Sequence, residues 1–222
     1  MNMERILVIG LGRLGSSLVE HLADKNVDII AVDEDMDRVD EIKHLISHCI
    51  QGDSTDPEFL KQVGAEKVDH AILCIGEKLE CSILTITLLL ELGVKKISAR
   101  AANTRNARIL SRVGAHEIFF VENEMGKIMA SRLTRPSVKK EMELGYGLKL
   151  VDWIPAPWTF GKNLAELAFP TNYGVQIVAL FNPEQPDSVN FPTSHSVLGS
   201  GSHCLLIGTD AAIDKLLKHS ND

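Results

Sequence analysis

The ten residues from Ile6 to Gly15, ILVIGLGRLG, constrain the fold of this 222-residue chain more than any other stretch. A short apolar, β-branched run leads into Gly10, Gly12 and Gly15, and an amphipathic segment follows. This order of strand, glycine turn and helix is the context that a dinucleotide fingerprint requires. The first glycine permits a tight turn, the second lets the backbone approach a phosphate, and the third lets the helix pack closely on its strand. The stretch predicts a Rossmann-like unit with phosphate at the helix N-terminus; the alternative is a turn of this type that binds nothing.

An acidic residue stands where such a fold holds a ribose. Asp33 ends the next apolar run, about 20 residues beyond the glycines. Its carboxylate can accept hydrogen bonds from ribose hydroxyls and would repel a 2′-phosphate. We therefore expect an NAD-type or adenosine-type ligand in preference to NADP.

Apolar runs and amphipathic stretches alternate along the first half of the chain. This alternation predicts βαβ units and an α/β fold with a doubly wound parallel sheet. A small α+β domain is expected to follow, giving domains 1–136 and 148–222 with a charged linker over 139–147. The predicted strands are 5–9, 28–32, 48–51, 71–75, 96–99 and 117–121, and the predicted helices are 12–24, 35–45, 57–63, 80–92, 104–113 and 122–135.

Weaker patterns describe the second domain. Strands are expected over 148–154, 174–181 and 204–208, and helices near 163–168 and over 210–219, with Thr209 as the N-cap of the last. The polar, proline-rich stretch 182–195 is expected to be a loop. Trp153 and Trp158 are interpreted either as buried or as an exposed aromatic contact.

Composition excludes several classes of protein. The net charge of −7 argues against nucleic acid as a partner, because such proteins usually present a basic face. The longest apolar stretch, 83–92, is too short to cross a bilayer, so we expect no membrane insertion. We also expect no signal peptide, because the first residues lead straight into a predicted core strand. Four scattered cysteines indicate reduced thiols in a cytosolic protein.

Side chains at the carboxyl ends of the predicted strands are the ligand-binding candidates, because ligands of open α/β sheets lie there. Arg13 is expected to contact phosphate oxygens, or else to be a solvated arginine. Arg100 is expected to meet an anionic ligand, or else an internal carboxylate. Asp53 and Ser54 are candidates for an adenine edge, although Asp53 can equally cap the helix near Pro57. The other candidates are Asp35, Arg38, Ile75, Gly76, Glu77 and Glu122.

Catalytic residues are scarce in this chain. A dehydrogenase needs a proton donor or acceptor beside the substrate, and no Tyr-x-x-x-Lys motif occurs. No Gly-Lys-Ser/Thr motif supports phosphoryl transfer either. The sequence therefore predicts a protein that binds a nucleotide and responds to it, rather than an enzyme.

Five segments match one family pattern in the same order along the chain. They are VIGLGRLG (8–15), Val32-Asp33, GDST (52–55), SARA (98–101), and Gly114-Ala115 with VENEMG (121–126). Together they resemble the RCK (regulator of potassium conductance) family, and more narrowly the Ktr- and Trk-type regulatory subunits of bacterial potassium uptake systems. The resemblance covers nearly the whole chain, and Arg13 inside the glycine loop is its most specific element.

This resemblance implies a regulatory protein. Members form homodimers that assemble into a tetrameric or octameric ring beneath a membrane-embedded potassium transporter, so the chain is expected in the cytoplasm at the inner face of the membrane. ATP or ADP, and in some members NAD or NADH, binds at the glycine loop and changes the shape of the ring. The alternatives are a small NAD-dependent oxidoreductase and a free-standing redox or nucleotide sensor.

By match to the family, the residues take the following roles. Asp33 would hold the ribose, and Arg100 would reach a phosphate. Glu122 would help to hold a divalent or monovalent cation between subunits, or else is an acid at a helix N-terminus. The phosphate loop would be Gly10, Gly12, Arg13, Leu14 and Gly15, with Asp53 and Ser54 beside the adenine and Ile75 and Gly76 lining the site.

Two further features concern assembly and a second ligand. Apolar residues on one face of helix 122–135 are interpreted as a dimer interface, with a core position as the alternative. The second domain departs from the family at Gly201-Ser202-His203 and over 182–191. These departures leave open whether it binds cyclic di-AMP, as some relatives do. The apolar residues of the helix are Met125, Ile128, Met129 and Leu133.

Overall fold

The computed structural model of this chain describes residues 3–76, 78–182 and 185–219. The chain divides into two compact units, Met1–Asn123 and Glu124–Asp222. Each unit has its own sheet, and the two are described separately.

A six-stranded parallel sheet forms the first unit, in the order β3-β2-β1-β4-β5-β6. The order reverses between β1 and β4, which is the topological switch point of a doubly wound fold. The strands are β1 (Glu4–Ile9), β2 (Val27–Asp33), β3 (His48–Gln51), β4 (His70–Leu73), β5 (Lys96–Arg100) and β6 (Glu117–Phe119), and the helices are α1 (Arg13–Ala23), α2 (Met36–Ile42), α3 (Pro57–Gln62), α4 (Leu79–Glu91) and α5 (Thr104–Val113). The next helix, α6 (Val121–Thr134), begins in the first unit and continues into the second.

Both faces of this sheet are buried, which explains the near-continuous apolar strands. Along β1, Ile6 and Val8 pack in one core with residues of α1 and α2. Leu7 and Ile9 point to the opposite face and pack with residues of α3, α4 and α5. The predicted fold class is confirmed, and α6 begins one residue earlier than predicted because β6 ends at Phe119.

The second unit contains a five-stranded antiparallel sheet in the order β10-β9-β11-β8-β7. Its core includes Trp153, which is fully buried, so the buried interpretation of this tryptophan is correct. The strands are β7 (Val138–Gly145), β8 (Leu148–Trp153), β9 (Gln176–Asn182), β10 (Gln185–Asn190) and β11 (His203–Thr209), and the helices are α7 (Leu164–Leu167), α8 (Phe169–Tyr173) and α9 (Asp210–His219).

Two sequence predictions for the second unit are wrong. The stretch 139–147 is not a linker: it belongs to β7 and to a two-residue turn that leads into β8. Tyr146 and Gly147 form that turn, with φ of 52° and 74°, as tight hairpins require. The stretch 182–195 is not entirely a loop, because it contains β10. Both missed strands lie at the edges of the sheet, where polar residues are tolerated.

Helix α6 carries its apolar residues on the surface. None of its residues is buried, and Met125 and Leu133 are 53% and 78% exposed. The alternative that these residues form a core is therefore wrong within this chain. Within the described residues, no helix is long and apolar enough to span a bilayer.

Candidate functional site

A cleft of about 850 Å³ opens at the carboxyl ends of the parallel strands, at the switch point between β1 and β4. This volume lies in the range of small-molecule sites. The cleft brings together nearly all of the residues predicted from the sequence. Those that line it are Gly10, Gly12, Arg13, Leu14, Asp33, Asp35, Arg38, Asp53, Ser54, Ile75, Gly76 and Arg100.

Three glycines shape the loop between β1 and α1, each in a different way. Gly10 has a φ of +93°, which favours glycine. Gly15 lies under the loop and not on the cleft wall: a Cβ there would fall 1.8 Å from the Gly10 carbonyl oxygen. A Cβ on Gly12 would meet nothing within 4 Å. Gly15 thus serves helix packing, whereas Gly12 keeps the wall of the cleft open.

Backbone amides that lack an intrahelical acceptor mark the start of α1. The first backbone bond of the helix runs from the Ser16 N–H to the Gly12 carbonyl, at 2.9 Å. The N–H groups of Arg13, Leu14 and Gly15 precede it and have no intrahelical acceptor. With the helix dipole and the exposed Arg13 side chain, they form a cationic end of the cleft that suits phosphate.

Asp33 ends β2 and is only 4% exposed. Its Oδ2 accepts a hydrogen bond from the Leu11 N–H at 2.5 Å, and its Oδ1 accepts one from the Asp35 N–H at 2.9 Å. Arg38 Nη1 lies 3.5 Å from the same Oδ2. Asp33 therefore holds the glycine loop and the start of the next turn, in addition to lining the cleft.

Asp35 and Arg38 belong to the first turn of α2. Asp35 is the N-cap and accepts a hydrogen bond from the Asp37 N–H at 3.0 Å. Arg38 Nε lies 3.5 Å from Asp35 Oδ2, so its guanidinium bridges Asp35 and Asp33. These contacts make the ribose end of the predicted site predominantly acidic.

Asp53 and Ser54 follow β3. Asp53 accepts hydrogen bonds from the Thr55 N–H at 2.8 Å and from its hydroxyl, and these bonds hold the pKa of Asp53 below its ordinary value. It does not cap α3, because Asp56 does, so the capping alternative for Asp53 is wrong. Ser54 is buried, and its hydroxyl lies 3.0 Å from that of Thr85 on α4.

Arg100 ends β5 and connects the cleft with α6. Its Nη2 donates to Glu122, the second residue of α6, so the alternative of an internal carboxylate partner is realised. Its Nη1 lies 2.9 Å from the position that a Cβ on Gly76 would take. Its Nε is buried without a hydrogen-bond partner among the described residues. The pKa of Glu122 is lowered, first by its own backbone N–H and then by Arg100.

An ion pair that was not predicted from the sequence lies in the lining of the cleft. Lys78 Nζ lies 2.6 Å from Glu34 Oε1, joining the segment before α4 to the end of β2. Cys74 and Cys81 also line the cleft. A lysine in the short segment between β4 and α4, where strand ends line the cleft, is the sequence signal for this contact. Glu77, another sequence candidate, lies outside the described residues.

Acidic and sulfur side chains do not form a ready metal centre in the described part of the chain. No group of three or more His, Cys, Asp or Glu residues is arranged to hold an ion there. The predicted cation residue Glu122 instead meets Arg100.

Comparison with known proteins assigns this chain to a family. The TrkA-N domain model matches residues 6–121. This range includes the glycine loop and all six parallel strands, apart from the first two residues of β1. The chain belongs to the TrkA-N family. This TrkA-N protein is 34% identical over 211 residues to the Ktr system potassium uptake protein C of Bacillus subtilis, covering 95% of each chain. It is 28% identical to the Ktr system potassium uptake protein A of Vibrio alginolyticus, covering 97% of each.

Solved structures confirm the fold of this TrkA-N protein. The RCK domain of GsuK matches the whole chain with a TM-score of 0.66 at 16% identity, and this chain spans 48% of that one. GsuK bound to ADP matches 59% of this chain with a TM-score of 0.50 at 25% identity, and this chain spans 34% of that one. The resemblance to RCK and Ktr/Trk-type proteins is thus confirmed.

Proposed function

We propose that this chain is a nucleotide-sensing, non-enzymatic regulatory subunit of a potassium uptake system. The observation that carries the proposal is the cleft at the β1–α1 loop. There the open wall at Gly12, the amides at the start of α1, and the side chains of Arg13 and Arg100 face one space, in a chain whose relatives are named potassium uptake proteins. We propose that nucleotide binding shifts the conformational equilibrium of the assembled protein and that a membrane partner responds to that shift.

ADP or ATP is the ligand class that the charges of the cleft favour. Arg13, Arg100 and the start of α1 place positive charge at one end, which suits two or three phosphates. Asp33, Asp35 and Asp37 outnumber Arg38 at the other end, and the resulting negative charge suits ribose hydroxyls and disfavours a 2′-phosphate. NAD or NADH is the second candidate, because a GsuK structure is described as bound to NAD.

The partner that we propose is a membrane-embedded potassium transporter subunit, with this chain in the cytoplasm at the inner face of the membrane. The exposed apolar residues of α6, including Met125 and Leu133, support a homodimer. Such a dimer buries apolar surface that water now contacts. We propose that dimers assemble further into a tetrameric or octameric ring.

A cation at Glu122 is a further part of the proposal. Glu122 is exposed on the first turn of α6, so a second copy of the chain can approach it. Magnesium, calcium and sodium titrations of the wild type and Glu122→Gln test this directly. We expect the wild type to bind one of these cations and Glu122→Gln to lose that binding. Equal heats from both proteins would refute a cation site at Glu122.

Calorimetric titration with ADP, ATP, NAD and NADH tests the ligand. We expect ADP or ATP to bind the wild type, and Gly12→Asp to abolish binding because its carboxylate fills the open side of the loop and repels phosphate. Gly126→Asp, at a glycine of α6 where a Cβ would likewise meet nothing within 4 Å, is the matched control and should bind normally. Absence of ADP and ATP binding to the wild type would contradict the proposal. Steady NADH consumption with a carbonyl substrate would favour an oxidoreductase instead.

Sedimentation velocity tests the assembly. We expect Leu133→Glu to shift the protein toward the monomer, because it places a charge in the proposed interface. Met36→Glu on α2, whose methionine is 44% exposed, is the control and should not shift it. Co-purification with a multi-span potassium transporter separates the regulatory subunit from a free-standing sensor, which would purify without one.

A further inference from the structure

We infer that Glu122 and the phosphates of the nucleotide compete for the same arginine, Arg100, so that ligand binding exchanges one ion pair for another at the start of α6. This inference rests on the proposed function and deepens it, because it names the side-chain exchange through which the cleft acts on α6.

The position of Arg100 is the first step of the argument. Its side chain ends β5 in the wall of the cleft, and it is 22% exposed. Nη1 passes so close to Gly76 that a Cβ at that position would lie 2.9 Å away. The guanidinium is thus held in a narrow passage between the cleft and α6, and the glycine at 76 makes room for it.

The donors of Arg100 give the second step. A guanidinium has five N–H groups in a fixed fork, and a phosphate or carboxylate can take two of them side by side. Glu122 accepts from Nη2, and the buried Nε has no acceptor among the residues that the structure describes. A buried donor without a partner is costly, so an anion that reaches Nε and a terminal nitrogen gains two charge-assisted bonds.

The strength of the competing bond gives the third step. Glu122 is 64% exposed on its side chain, and an ion pair with an exposed carboxylate contributes little to stability. A nucleotide phosphate carries more charge and arrives with the amides of α1 already holding it. Breaking the Arg100–Glu122 pair therefore costs little free energy, and the Arg100–phosphate pair more than offsets it. Under this condition ligand binding can shift the equilibrium between the two ion pairs.

Release of Glu122 acts on a helix that carries exposed apolar residues. Glu122 stands three residues before Met125, the first of the apolar residues of α6. When the phosphate takes Arg100, the first turn of α6 loses its tether to β5. The exchange thereby links the state of the cleft to the helix that we propose as the dimer interface.

A double-mutant cycle in calorimetry tests the competition, with ADP and ATP as the probes and EDTA in the buffer, so that no divalent cation at Glu122 contributes to the affinity. Glu122→Gln removes the competing charge, and we expect it to tighten binding by about two- to fivefold. Arg100→Gln should weaken binding by about tenfold or more. The decisive measurement is Glu122→Gln in the Arg100→Gln background, where competition predicts no gain at all.

Controls separate competition from general repulsion between Glu122 and the phosphates. Repulsion predicts the same gain whether or not Arg100 is present, so a persistent gain in the double variant overturns the inference. Glu124→Gln, an equally exposed acid two residues further along α6 that pairs with Lys127, should leave the affinity unchanged. Arg100→Lys keeps a positive charge and serves if Arg100→Gln fails to fold; the gain from Glu122→Gln should shrink in its background.

Three outcomes follow. A gain for Glu122→Gln that vanishes without Arg100 supports the exchange. Unchanged or weaker binding of Glu122→Gln, while the wild type binds ADP or ATP, overturns the exchange and leaves the proposed function standing. A wild type that binds neither nucleotide overturns both.

Discussion

The carboxylate of Asp33 accepts a hydrogen bond of 2.5 Å from the backbone N–H of Leu11. This bond joins the end of β2 to the glycine loop that follows β1. A second oxygen of the same carboxylate accepts the N–H of Asp35. Asp33 was expected from the sequence to serve a ribose, and the structure shows that it also fixes the loop on which a phosphate would rest. The shape of the cleft thus depends on a residue inside it.

We therefore expect Asp33→Asn to destabilise the protein by about 1–3 kcal/mol. The two carboxylate oxygens of Asp33 each accept a backbone N–H, and in asparagine one of them is replaced by an NH₂ group, which cannot accept. Urea unfolding measures the effect. Asp35→Asn is the control: asparagine caps a helix as well as aspartate does, so its change should stay within about 0.5 kcal/mol. Equal stability of Asp33→Asn and the wild type would show that the Leu11 contact does not matter for folding.

Alanine should destabilise the protein far more at Gly15 than at Gly12. Gly15→Ala places a Cβ 1.8 Å from a backbone oxygen that cannot move freely, so we expect a loss of about 3 kcal/mol or more in stability. Gly12→Ala meets no atom, so we expect a loss of no more than about 1 kcal/mol. Nucleotide affinity should fall in Gly12→Ala all the same, because the methyl group occupies the phosphate side of the loop. Thermal unfolding and calorimetry on both variants check this; intact affinity in Gly12→Ala would contradict a phosphate at that position.

Cysteine reactivity should reveal the occupied cleft. Burial raises the pKa of Cys74 and Cys204 to about 12, so neither thiol ionises appreciably at pH 8. Cys81 is partly exposed and lines the cleft. We expect iodoacetamide to modify Cys81 before Cys74 and Cys204, and ADP to slow that modification. Peptide mass spectrometry reads out each site, and the protein in guanidinium, where all four cysteines should react, is the control. Rapid labelling of Cys74 in the native protein would contradict the burial described above.

Stability should fall in mildly acidic solution because of His70. Burial first, and then the ammonium of Lys96, lowers the pKa of His70 below 6.5. The imidazole of His70 therefore binds a proton more tightly in the unfolded chain than in the folded protein. Neutral His70 contributes its full stability above pH 6.5, and this stability is lost as the pH falls below 6.5. We expect His70→Gln to reduce this pH dependence by less than about 1 kcal/mol, since the ring is partly solvent-exposed. Urea unfolding between pH 7.5 and 5 measures it. His44→Gln, an exposed histidine, is the control, and identical pH profiles of His70→Gln and the wild type would refute the role.

The first unit could be predicted well because its signals are strong and mutually consistent. Buried parallel strands carry near-continuous apolar runs, as from Ile6 to Ile9 in β1, and the glycine loop gives both a turn and a register. The second unit was harder, since β7 and β10 are edge strands. An edge strand pairs on one side only, and β7 has a single buried residue, Val138, followed by a run of charged and mostly exposed residues. Its pattern therefore resembles that of a linker.

The candidate site followed the same division. Residues whose role depends on the backbone, such as Gly12 and Gly15, were predictable from spacing. Contacts between side chains from distant elements were not, because the Lys78–Glu34 pair joins residues 44 positions apart. Asp56 as the cap of α3 could have been identified from its place directly before Pro57, where an N-cap is expected.

The glycine loop is held by three contacts that involve no ligand: Gly10 to Val32, Leu11 to Asp33, and the Ser16 hydroxyl to the Leu11 carbonyl. A loop with its conformation set in advance loses little entropy when a ligand arrives. A ligand should therefore bind to a preorganised loop, with fast association and little rearrangement of the backbone. Discrimination between ligands then falls to charged side chains around the loop, which can change partners while the loop stays still.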